Sequence, residues 1–139
     1  MEDWEEKLDS FLRRREEKTD IAPETVERKN AQEFINKIVE PAFDKLEAIF
    51  NKHGCQAFVV SGDLSRQLTV WSKGTREIVY PIKILRDSIL NKWKAIEMND
   101  GGLTAYVDAE PTIDNTTEAH ILNHFVDNYT KAMRLAGRL

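Results

Sequence analysis

The feature that most constrains this chain is a run of ten apolar residues, Ala31, Phe34, Ile35, Ile38, Val39, Ala42, Phe43, Leu46, Ile49 and Phe50, recurring by threes and ones. A helix is the element that turns at this period, so the ten side chains form one seam about five turns long that must be covered. Pro23 suits the first helical position, where its missing N–H costs nothing, and Gly54 suits a left-handed stop after Lys52 and His53. Pro41 lies inside the seam. It cannot donate to Lys37 and its ring crowds that turn, yet the apolar phase is the same on both sides. A kinked helix is therefore expected, not a broken one.

From Cys55 onward the period becomes alternating. Cys55 to Ser61 reads as a first strand, Gly62 to Arg66 as a turn, and Gln67 to Ser72 as a second strand. Lys73-Gly74 is a tight hairpin into a long third strand from Arg76 to Arg86. The Asn99-Asp100-Gly101-Gly102 turn predicts a further hairpin from about Leu90 to Val107. The competing reading is a short helix capped by Asp87 and Ser88 that carries Ile89, Leu90, Trp93 and Ile96. Pro81 falls inside the longest strand, which calls for a bulge there or a non-sequential strand order.

Asn115 and Glu118 have capping-box spacing and open a last helix, with Ala119, Leu122, Phe125, Val126, Tyr129, Met133 and Ala136 on one face. The order predicts an α+β domain: two N-terminal helices, an antiparallel meander of four to five strands and a C-terminal helix, the helices packed on the sheet. The 139 residues fit one domain spanning the chain.

Residues 2 to 18 form a charged helix, acidic at Glu2, Asp3, Glu5 and Glu6 and basic at Arg13, Arg14 and Arg15, in the sense that suits the macrodipole. Its apolar stripe is narrow: Trp4, Leu8, Phe11 and Leu12. Burying four such side chains returns roughly 6–12 kcal/mol, while ordering about 17 residues costs as much or more. A second surface is needed to hold this helix. Residues 1 to 20 are accordingly read as a dimerisation arm whose four apolar residues complete a homodimer interface, the alternative being packing on their own domain.

If the even-numbered residues Phe58, Val60, Leu68, Val70, Ile78, Tyr80, Ile82 and Ile84 face the helices, the odd face carries Thr69, Trp71, Val79 and Lys83. Lys92, Lys94 and Tyr106 extend it into a mixed aromatic and basic surface. Such a face suits helix 1 or a second subunit, or stacked single-stranded bases. Twenty basic against 24 acidic residues give a net charge of −4, which opposes general affinity for phosphate backbones or anionic lipid.

Other chemistry finds little footing. Cys55 is the single cysteine, and the start Met1-Glu2-Asp3-Trp4-Glu5 lacks the regions of a secretory signal, so a cytoplasmic location is expected. His120 and His124 stand at metal-ligand spacing, but helical projection puts both on a solvated face, and no metal is expected. Asp108, Glu110, Asp114 and Glu118 lack the spacing of a calcium loop, and His53 and Cys55 sit too close along the chain to aim at one another. Phosphate loops, nucleophile elbows and paired cysteine motifs are missing, and no cofactor is expected. The reading is a non-catalytic protein-interaction domain that self-associates through Trp4, Leu8, Phe11, Leu12, Trp71, Val79 and Tyr106. The alternatives are a small-molecule binder or small enzyme with its site between the sheet and the helix at Pro41, and a single-strand nucleic-acid binder using Trp71, Lys92, Lys94 and Tyr106.

Overall fold

The apolar seam folds into one uninterrupted helical rod with a widened turn at its middle. The computed structural model describes residues 3–20, 24–96, 98, 99 and 110–138. Helix α1 spans Asp3–Asp20, and α2, Glu24–Phe34, runs through a π-helical turn, Ile35–Val39, directly into α3, Glu40–Lys52. The N–H of Glu40 donates to the carbonyl of Ile35, five residues back. Pro41 is the reason: with no N–H of its own and a ring that would strike the carbonyl four residues earlier, it is accommodated by the wider turn. The rod ends as expected at Gly54, whose φ is +83°. Cys55 N–H reaches Phe50 O at 3.0 Å and Gly54 N–H reaches Asn51 O at 3.2 Å, closing the last carbonyls in a Schellman motif. Pro23 lies outside the described residues.

The strands are β1 (Gln56–Gly62), β2 (Ser65–Ser72), β3 (Thr75–Leu85), β4 (Ser88–Leu90), β5 (Lys94–Ala95) and β6 (Met98–Asn99). They form one antiparallel sheet in the order β1-β2-β3-β5-β6, with β4 also on β3. The Lys73-Gly74 hairpin has φ of +52° and +78°, the mirror-image turn that matches strand twist. Residues 88–90 and 94–95 are extended, so the helical alternative there is overturned. In the hairpin between β5 and β6, Ala95 pairs with Met98 and Lys94 with Asn99, so Asn99 lies in a strand, and residues 100–107 of the expected hairpin lie outside the described residues.

Pro81 sits in the central strand without a bulge of its own and without a change of strand order. Its β2 partner is Gln67. On its other side the neighbouring strand is interrupted between β4 and β5, and the side chain of Asn91 donates to Pro81 O at 2.7 Å. Because N and C=O of one strand residue point to the same side, the missing N–H faces the gap between β4 and β5, where no ladder hydrogen bond is lost.

Two assignments of faces require correction. Phe58 and Val60 were expected in the core, but Ala57 is the buried residue of β1, while Phe58 and Val60 are exposed. The two-residue turn Asp63-Leu64 pairs Gly62 with Ser65, which sets odd residues of β1 opposite even residues of β2, such as Ala57 with Val70. Helix α4 spans Glu118–Leu135, and Thr117 is its N-cap, two residues later than Asn115. Thr117 Oγ1 accepts from His120 N–H at 3.2 Å, and His120 Nδ1 accepts from Thr117 N–H at 3.0 Å. Asn115 instead orders the preceding loop, accepting from Thr112 N–H at 2.8 Å. The buried face of α4 is correspondingly rotated: Ile121, His124, Phe125, Ala132 and Met133 are buried, whereas Ala119 and Val126 are exposed.

The core lies between one sheet face and the α2–α3 rod together with α4. Leu68, Val70, Ile78, Tyr80, Ile82 and Ile84 meet Phe34, Ile35, Val39, Phe43, Ile121 and Phe125 there. Tyr80 is its hub, with edge-on contacts to Phe43 at 6.1 Å and Phe125 at 5.1 Å between ring centroids. Within the seam Ile49 is the exception, exposed at the far end of α3.

Candidate protein-interaction surface

Helix α1 carries the first part of the surface. Every residue from Asp3 to Arg14 is exposed, and the stripe of Trp4, Leu8, Phe11 and Leu12 is between 41% and 59% exposed. Local interactions account for the helix itself: Asp3, Glu5 and Glu6 occupy the first turn, and Asp9 pairs with Arg13 at 3.2 Å one turn on.

The second part is the sheet face away from the helices. The register sets Phe58 beside Thr69, Thr69 beside Val79 and Val79 beside Lys94, a row across four strands. Val60, Gln67 and Pro81 form the next row, and Trp71 faces Arg76 at the sheet end. Phe58 is 45% and Val60 51% exposed, with Leu90 also exposed beside Lys83. Trp71 and Val79 are half-buried, and Thr69 between Phe58 and Val79 is buried, so the exposed apolar part of the face is Phe58, Val60 and Leu90. No described helix covers this face. Its described strand residues include Arg76, Lys83 and Lys94 and no acid, and those three make no ion pair among the described residues.

Of the residues singled out by sequence, Trp4, Leu8, Phe11 and Leu12 share one stripe, Trp71 and Val79 share the sheet face, and Tyr106 lies outside the described residues. The two groups lie on separate elements. Phe58, Val60 and Leu90 belong to the face and were missed; the signal for the first two was the turn length before β2, and for Leu90 its pairing with Lys83.

Two polar clusters lie elsewhere. At the end of β3 the register slips so that Ile78 pairs with Val70 but Arg76 with Trp71, leaving Glu77 as the extra residue of a bulge. The bulge turns Glu77 toward the helix side, where its side chain is 5% exposed. Tyr129 donates its hydroxyl proton to Glu77 Oε1 at 2.7 Å and Arg138 Nε donates to Oε2 at 2.7 Å. Arg138 is aimed there by the end of α4: Gly137 has φ +68°, and Arg138 N–H reaches back to Met133 O at 2.8 Å. Burial first, then the hydrogen bond to the Glu77 carboxylate, pushes the Tyr129 hydroxyl well above the ordinary tyrosine range. The cluster clasps α4 to the sheet, and its polar groups are engaged with one another.

His124 is not on a solvated face: it is buried, with Nδ1 2.6 Å from the Tyr80 hydroxyl. His120 Nδ1 serves the helix cap, so the two histidines do not converge. No group of three or more His, Cys, Asp or Glu is placed to hold a metal among the described residues. Beside Pro41, Val39, Ala42 and Phe43 are fully buried. A cleft of about 430 Å³ lies between α2 and the Arg86-Asp87 turn, where Glu27, Glu33, Asp87 and Asp114 mix with Lys37 and Arg86. No helix among the described residues is long and apolar enough to cross a membrane. No protein-family model, curated protein or solved structure matches the chain.

Proposed function

We propose that this chain is a non-catalytic protein-interaction domain that self-associates through α1 and the uncovered sheet face. The observation that supports the reading is the presence, in one chain, of two separate exposed apolar surfaces that no described helix covers. These are the α1 stripe around Leu8 and Phe11 and the sheet face around Phe58 and Val60. Contiguous exposed apolar surface is uncommon on proteins that work alone, and an amphipathic helix of this length gains little stability without a surface to lie on.

The polar groups argue in the same direction. Glu77, Tyr129 and Arg138 are bonded to one another, and the cleft beside α2 is open and sets six charged side chains beside Phe34, Ile38 and Ile113, where a small-molecule site is enclosed and mostly apolar. The test is the mass of the particle in solution, by light scattering at concentrations up to roughly 100 μM, where a micromolar interaction is saturated. A dimer or higher species that becomes monomeric in Leu8→Glu is expected. A monomer throughout that range would refute the reading.

A further inference from the structure

Resting on that reading, we infer that α1 of one copy lies across the open sheet face of a second copy, in a reciprocal arm exchange. The two surfaces fit in size. The stripe from Trp4 to Leu12 is about 12 Å long at the helical rise, and the row from Phe58 through Val79 to Lys94 crosses four strands, about 14 Å. They fit in charge as well. The first half of α1 carries Asp3, Glu5, Glu6 and Asp9 against Lys7, while the face presents Arg76, Lys83 and Lys94 without an acid among its described strand residues.

Within one chain the whole run from Asp3 to Arg14 is exposed and no described helix covers the face, so the occupant that satisfies both is a second copy of the chain. Exchange about a two-fold axis makes the contact twice and closes the assembly. Pairing of α1 with α1 would leave the sheet face bare. A single-stranded nucleic acid on the same cations would leave the α1 stripe bare.

The experiment uses two variants of exposed residues and their mixture, with circular dichroism confirming that each folds. Leu8→Glu/Phe11→Glu disables the arm, and Phe58→Glu/Val60→Glu disables the face. Each alone should weaken self-association by more than roughly 100-fold, because the substitution places unpaired charge in both copies of the contact. An equimolar mixture should associate at least roughly tenfold more tightly than either alone, since one intact arm then meets one intact face. A wild-type dimer that survives Phe58→Glu/Val60→Glu, or a mixture no tighter than its components, overturns the arm exchange and leaves self-association standing. A wild-type monomer overturns both. A monomer that binds a single-stranded oligonucleotide, with affinity falling steeply as salt rises, assigns the face to nucleic acid and likewise overturns the proposal.

Discussion

Arg138→Ala tests whether the clasp at the end of α4 holds the helix to the sheet. Glu77 is 5% exposed and Arg138 27%, and the pair is joined by a 2.7 Å bond from Nε, with a second bond of 3.1 Å from Arg138 to Ser72 O. Removing one partner of a fully buried ion pair costs about 3–5 kcal/mol, because the other charge stays desolvated. Here water can enter where the guanidinium was, which lowers the expected loss to about 2–3 kcal/mol. For a domain of this size that corresponds to a fall in Tm of roughly 6–15 °C. The assay is urea unfolding followed by circular dichroism, run in a Leu8→Glu background so that association does not contribute to stability. A cycle with Glu77→Gln should give a coupling of about 1.5–3 kcal/mol, the double variant being little worse than Glu77→Gln alone. An Arg138→Ala protein within about 0.5 kcal/mol of its parent would refute the clasp, because that is the range of an ordinary surface substitution.

Tyr129→Phe should change how stability responds to alkali. The folded Tyr129 hydroxyl holds its proton above the ordinary pKa of about 10, so the stabilisation is complete below that pH and is lost as pH rises beyond it, by up to about 1.4 kcal/mol per unit. The variant, less stable at about pH 8, should close the gap above about pH 10, and parallel urea-midpoint curves would contradict the assignment. Gly54→Ala meets no atom within 4 Å and differs only in its φ of +83°, so a loss of about 1–2 kcal/mol in urea unfolding is expected. Phe125→Ala removes a ring that touches Tyr80, Phe50 and Tyr129, and a loss of about 3–5 kcal/mol in the same assay is expected from the cavity.

The helical rod was legible because its signal is repetitive: Ala31 to Phe50 keep phase over many residues, and a π turn at Ile35–Val39 barely disturbs it. Sheet faces are a more fragile inference. A one-residue difference in a turn inverts a whole strand, so reading Gly62 to Arg66 as a turn, where Asp63-Leu64 suffices, put Phe58 and Val60 on the wrong side. His124 was misplaced for a related reason. The apolar face of α4 was laid through Ala119 and Val126, and a rotation toward Ile121 carries His124 into the core, where Tyr80 satisfies it. Glu77 left no trace at all, because a bulge depends on pairing between strands and a strict alternation cannot show it. The α1 half of the candidate surface was readable from Trp4, Leu8, Phe11 and Leu12 alone; the sheet half was only partly so, through Trp71 and Val79.

Self-association is the claim on which the functional account stands, and amide hydrogen exchange at two protein concentrations tests it most directly. Exchange of residues 3–14 and of the β1 edge should slow together as concentration rises. Fast exchange of residues 3–14 at every concentration would show that α1 has no partner and would contradict the account.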